Sequence, residues 1–524
     1  MPQIASEIVD IYDITDGLNT IKSGIRLGPT ELKDCQNIRF RPVGGFRWRQ
    51  GYETLGNAPG QPATGLYMAR FYAGTNVAFR TRGTVLEKMD ALDGTWDDIT
   101  GALSLTGGQD NLFSFAMLND IVIGVNGVND AIQISSSLTA TAVSALPGSV
   151  IPTYVYEHRG YMFYVTADQL FFSDLNTPQT VQTTSYIRPG SKNGGNIIGG
   201  VDYIGKNYVF KRHGIYAVEF QPTQVNSAGD LFPFIESPNP VVAGVGTQSP
   251  RSIVKFTTPD THKAPGQELV FFVDQFGVPR LFDGSVSRVI GSSILTSRDD
   301  SIVSLASCSK SRLAQVWSVV DAANNLIYCF MALDGATQNT VCWVLDYTTS
   351  FAWTRDSYAK GFNCGAIFEN TDGVFKPYFA DYEGQVYEMD MGQDDNGIAI
   401  SSYARGGDMY LKSPVVRSRW LYNEVRGSTG SDTQSVLVDY YTDGEDTPST
   451  SGSLILYREG QANWDEVNWG EFSWVYSGLT TKSSEINLEC KTLGVKFSNT
   501  TLGNTASLEG YSLFAMPEGW KQEE

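Results

Sequence analysis

The chain has 524 residues with 38 basic against 57 acidic side chains, and the formal net charge of −19 excludes a protein that coats DNA with its whole surface. Hydrophobic residues at 41% and charged residues at 18% supply a core and leave too little charge for a disordered chain. No run reaches the roughly 18 apolar residues of a membrane helix, since even TYVYEHRGYMFYV is broken by Glu157, His158 and Arg159, so no membrane span is expected.

The opening MPQIASEIVDIYDITDG has neither a basic start nor an unbroken apolar run, so no secretory signal is expected. Residues 1–64 read as an N-terminal arm with a basic motif. Between residues 22 and 52 stand Lys22, Arg26, Lys33, Arg39, Arg41, Arg47 and Arg49 against only Glu31 and Asp34. Two readings stay open for Arg39, Arg41, Arg47 and Arg49: contact with DNA or a neighbouring subunit, and anchorage of the arm onto an acidic body.

Residues 65–410 carry short aromatic and β-branched runs bent back by Gly, Asn or Asp turns, a strand pattern without long amphipathic helices. The turns fall near Gly83, Gly127, Asp168, Gly214, Gly277, Gly335 and Gly384, a beat of about 50 residues, which is the length of a four-stranded blade. The expected fold is all-β, a β-propeller of six to eight blades with seven the central value. A pair of β-sandwiches is the competing architecture.

Residues 411–524 read as a small C-terminal β-rich domain and tail, with strand alternation in PVVRSRWLYNEVRG, SVLVDYYTDGEDTPSTSGSLILY and EINLECKTLGVKFSNTTLGNTASLEGYSLFAM. Within it, Trp464, Trp469 and Trp474 recur every five residues. That spacing fits neither a strand face nor a helix face, and the three are read either as an interface or as the packing of a small core.

The residues offer little chemistry. Six cysteines are scattered without CxxC pairs, and the three histidines lie outside metal-binding spacings, so free thiols and no metal are expected. The motifs of nucleotide hydrolysis and serine esterases are absent. LDGTWDD (Leu92 to Asp98) is similar to a sialidase-type turn without its spacers, and DMGQDDNG (Asp390 to Gly397) lacks the bidentate acid of a calcium loop, so both read as turns. No catalytic residue and no cofactor are assigned. A carbohydrate-binding or glycosidase-like propeller remains the alternative function, since the acidic residues and 10 Trp permit it.

One block is more distinctive. Gly17, Leu18 and Asn19, then Asn37, Ile38, Arg39 and Phe40, then Gly44, Gly45, Phe46, Arg47, Arg49, Gly51 and Tyr52 follow one another as in the opening of the tail nozzle, or hub, proteins of short-tailed bacteriophages, which this chain resembles. FFSDLNTP, VFKRHGIYAV, RLFDG, VLDYTTSFAWT and DYEGQVYEMD resemble that family's propeller strands, so the likeness runs from residue 17 to about 395. Trp48 interrupts the family's basic run, and the last hundred or so residues lie outside the likeness.

The resemblance implies a structural, non-enzymatic virion protein assembled in the host cytoplasm. It implies a homohexameric ring at the distal end of the tail, below a tail adaptor ring, that retains packaged DNA in its lumen until ejection and carries fibres or spikes. Six copies at −19 each would give a channel wall that repels phosphates and lets a DNA end slide.

Overall fold

The computed structural model describes residues 7–517 apart from 41–43, 75, 91, 144–145, 191–192, 226–228, 230, 261–265, 349, 371, 430–432, 458–479 and 504. All its regular structure is strand except five short 3-10 turns, and no described helix is long and apolar enough to cross a membrane.

Among the described residues, seven antiparallel sheets follow in chain order at 63–98, 114–142, 154–187, 197–243, 254–289, 317–357 and 362–389, here sheets 1 to 7. Six have four strands, and sheet 4 gains Val242–Ala243 as a fifth. The first strands of sheets 1 to 4 lie side by side in order, as do those of sheets 5, 6, 7 and 1. The turn Pro250–Ser252 bridges sheets 4 and 5, so the seven close into a ring, a β-propeller. Each turn of the 50-residue beat falls between the second and third strands of one sheet, one per sheet. Neighbouring sheets bury aromatic and branched side chains between them, as where Trp317 stacks on Phe330 at 4.3 Å and packs edge-on against Phe379 at 5.3 Å. No sheet covers both its faces alone, which is why the ring must close.

Closure uses the N-terminal segment. Strand Tyr52–Leu55 pairs antiparallel with Val386–Met389, Tyr52 opposite Met389 and Leu55 opposite Val386, and completes sheet 7. This joins residues more than 300 positions apart and makes Tyr52–Leu55 the outer strand of sheet 7.

The remaining strands form two six-stranded sheets that draw on both ends of the chain. One holds Glu7–Ile11, Ile38–Phe40, Phe46–Trp48, Ser418–Ser428, Thr480–Cys490 and Ser507–Pro517. The other holds Gly17–Leu18, Glu31–Gln36, Ser402–Met409, Thr433–Thr442, Thr450–Tyr457 and Leu493–Asn499. They pack face to face through Trp420, Val425 and Leu513 of the first against Val436, Val438 and Phe497 of the second, and Phe497 meets Tyr511 edge-on at 5.1 Å. The core is continuous with sheets 5 and 6, taking in Phe271, Trp343 and Trp353.

The described residues between 7 and 64 therefore do not form the expected arm of residues 1–64. Their strands belong to the sandwich and to sheet 7, and the sandwich begins at Ser402, inside the span expected for the propeller. The reason lies in the strand edges: the C-terminal strands cannot complete two sheets by themselves, and the N-terminal ones supply the missing partners, Glu31–Gln36 beside Ser402–Met409 and Phe46–Trp48 beside Ser507–Pro517.

Candidate functional site

The distinctive N-terminal block lies where the sandwich meets the outer strand of sheet 6, Ala352–Ser357, and its residue types have local reasons. Asn37 takes a left-handed turn (φ 58°), which Asn tolerates better than most residues. Its side-chain oxygen accepts hydrogen bonds from the Ser357 amide and Arg49 Nε, both at 2.9 Å, and its amide donates to the Ser401 carbonyl at 2.7 Å. Gly45 has φ +75°, and a Cβ there would run into the Leu508 carbonyl. A Cβ on Gly51 would run into the Asp394 carbonyl.

Arg39 and Arg49 are buried. Arg39 donates to both oxygens of Asp356 at 2.8 and 2.5 Å, and Arg49 donates to both oxygens of Asp395 at 2.8 and 2.6 Å while lying 4.3 Å over the Tyr358 ring. A third arginine is held differently, through one nitrogen: Arg355 donates to Tyr403 at 2.6 Å and reaches Asp34 at 3.4 Å. Burial raises the Asp34 carboxyl above its ordinary range, against the pull of Arg355.

Two of the four arginines singled out in the sequence are thus committed to intramolecular pairs and present no charge to solvent. Arg47 is exposed, and Arg41 lies outside the described residues, as do Trp464, Trp469 and Trp474. In the Asp390 to Gly397 segment, Asp395 is occupied by Arg49 and Asp394 caps the Gly397 amide. No group of three or more metal-ligating side chains stands together among the described residues, and all six cysteines are free and buried.

Beside the Arg39–Asp356 pair opens a cleft of about 340 Å³ between the block and the first turn of sheet 6. Its walls carry Phe40, Arg47 and Gln50 of the block together with Asn324, Asp346 and Asp390. Burial raises the carboxyls of Asp346 and Asp390 despite the nearby Arg39. Asp346 accepts from the Thr348 amide at 2.9 Å. The side chains of Asp390 and Arg47 form no hydrogen bond or ion pair with any described residue, although both face this cleft. The sequence held no sign of it, because its walls come from five separated segments, at Thr15, 39–50, 323–326, 346–352 and Asp390.

A second feature lies at the propeller's axis. Residues 109–113, just before sheet 2, reach across the mouth where the first strands begin. Asp110 pairs with Arg312 before sheet 6 at 2.6 Å, Gln109 donates to the Thr337 carbonyl of sheet 6 at 3.2 Å, and Asn363 of sheet 7 donates to the Gln109 carbonyl at 2.9 Å. Arg251, before sheet 5, donates to the carbonyls of Leu112 and Phe113, and its burial pushes the guanidinium down to about 10. Sheet 2 is not a neighbour of sheets 5, 6 or 7 in the ring, so these bonds span the mouth.

No protein-family model matches the chain, and no curated protein matches it. Among solved structures, the chain is similar to one described as YCF48 bound to D1 peptide (11% identity, 65% of this chain and 99% of that one, TM-score 0.38). Another is described as BBS1N in complex with ARL6DN (10%, 66% and 96%, TM-score 0.38), and a third is the computationally designed Ika8 protein (8%, 64% and 99%, TM-score 0.37).

Proposed function

We propose that this protein is a structural component of a short phage tail, a nozzle or hub whose copies form a hexameric ring at the distal end, close the DNA channel and retain packaged DNA until ejection. In this reading the seven sheets are seven blades of one propeller, the adaptor ring sits above, and fibres or spikes attach outside. The protein acts in the virion after assembly in the host cytoplasm, and no catalytic step is assigned to it.

The observation that carries the reading is the N-terminal block. Several of its residues tie the sandwich to the propeller or close the ring: Asn37 holds Ser357 and Ser401, Arg39 pairs with Asp356, Arg49 with Asp395, and Tyr52 opens the strand that completes sheet 7. The likeness therefore concerns how the whole molecule is put together. The bridged mouth adds a constraint: with residues 109–113 across the axis, a DNA path runs between copies and not through one propeller. The formal charge of −19 per copy suits a wall that repels the duplex.

The test is the mass and shape of the protein mixed with the adaptor protein from the same genome, by native mass spectrometry and negative-stain imaging. Six copies in a ring on the adaptor support the hub. A monomer that ignores the adaptor overturns it.

A further inference from the structure

We propose that the cleft beside Arg39 is a binding site for a hydroxyl-rich ligand of saccharide type, with Asp390 and Arg47 as its polar contacts. The inference is independent of the tail reading.

Arg47 acts on Asp390 through space and forms no hydrogen bond or ion pair with it. Arg47 and Asp390 line one cavity, and neither side chain has a hydrogen-bonding or ion-pairing partner among the described residues. Neighbouring charges elsewhere at this junction are paired, as Arg39 with Asp356 and Arg49 with Asp395. A half-buried carboxylate without a donor is an unfavourable arrangement in a free protein, and burial raises Asp390 accordingly. A ligand that donates hydrogen bonds to it and accepts them from Arg47 removes that penalty.

The remaining wall narrows the chemistry. Gln50 presents an amide that both donates and accepts, Asn324 adds an amide that also donates to Asp321 at 2.7 Å, Asp346 adds a second carboxyl group, and Phe40 contributes a half-buried aromatic surface. Alternating donors and acceptors beside an apolar ring match a pyranose, which has hydroxyls around its rim and C–H groups on its face. A phosphate or carboxylate ligand would find one uncommitted cation, Arg47, beside two carboxyl groups that must hold their protons to accommodate it. A bare metal ion lacks a third ligating side chain. The volume of about 340 Å³ lies at the low end of the roughly 300–1,000 Å³ of small-ligand sites and suits one or two sugar rings. The ion pairs beneath the cleft fix the strands that carry Phe40 and Arg47, so the wall is formed before a ligand arrives.

The full-length protein is screened on an array of bacterial and mammalian oligosaccharides, and hits are titrated by calorimetry as free mono- and disaccharides and as the intact surface polysaccharide. The expected result is saturable binding that falls at least tenfold in both Asp390→Asn and Arg47→Gln, with neither variant melting below the parent. Binding of the free sugar identifies the ring itself as the ligand, and binding of the polysaccharide alone identifies a longer chain; both uphold the site. No binding across the array and the titrations, or binding that both variants leave unchanged, overturns it.

Discussion

Arg49 and Asp395, 346 positions apart in the chain, form a two-bond ion pair at 2.8 and 2.6 Å with almost no exposure to solvent. The pair ties the block before the ring's closing strand to the loop that leaves sheet 7. Arg39 and Asp356 tie the same block to sheet 6. Removing one partner leaves a buried charge without compensation, which costs about 3 to 5 kcal/mol.

The first prediction is that Asp395→Asn and Arg49→Met each lower the denaturant midpoint by an amount matching about 3 to 5 kcal/mol. Arg49→Met combined with Asp395→Leu recovers part of the loss, because the double variant buries no charge. Urea unfolding followed by tryptophan fluorescence checks both outcomes.

Gly51 has no room for a side chain against Asp394, and Gly45 combines a left-handed backbone with the Leu508 carbonyl. Gly45→Ala and Gly51→Ala are expected to destabilise by about 1 to 3 kcal/mol. Gly74→Ala, at φ +82° with open space around it, loses only the backbone part, about 1 kcal/mol. Melting temperatures of the three variants give the order.

Asp390 is raised by burial, so the folded protein holds its proton to higher pH than the unfolded chain does. Its contribution to stability therefore declines as pH rises from the ordinary carboxylate value toward the raised one, and stays lost above it. Asp390→Asn is expected to raise the melting temperature at pH 7 and to leave it unchanged at about pH 3, below both values. A melting curve series between those pH values decides this.

Arg251 supplies donors to the Leu112 and Phe113 carbonyls, whereas Arg312 and Asp110 meet near the surface. Arg251→Met is expected to destabilise by about 1 to 3 kcal/mol through the buried carbonyls it leaves unpaired. The double variant Arg312→Gln with Asp110→Asn changes stability by less than about 1 kcal/mol. Amide hydrogen exchange of residues 109–113 should quicken markedly in the first and little in the second.

The sequence by itself determined what depends on neighbours along the chain. The alternation of apolar residues marked the strands, and Gly83, Gly127, Asp168, Gly214, Gly277, Gly335 and Gly384 marked one equivalent turn in each of seven sheets, because a tight turn needs particular residues at a particular place. Pairing between distant segments is not written in that pattern. The fourth strand of sheet 7 is Tyr52–Leu55, and Phe46–Trp48 lies beside Ser507–Pro517; such partners are chosen by open sheet edges and shared burial, which exist only once the chain has folded. The same holds for charge: Arg39, Arg47 and Arg49 look alike in sequence. Folding alone buried the first and last against Asp356 and Asp395 and left Arg47 lining the same cleft as Asp390, because a charged side chain's role is set by which distant group shares its space.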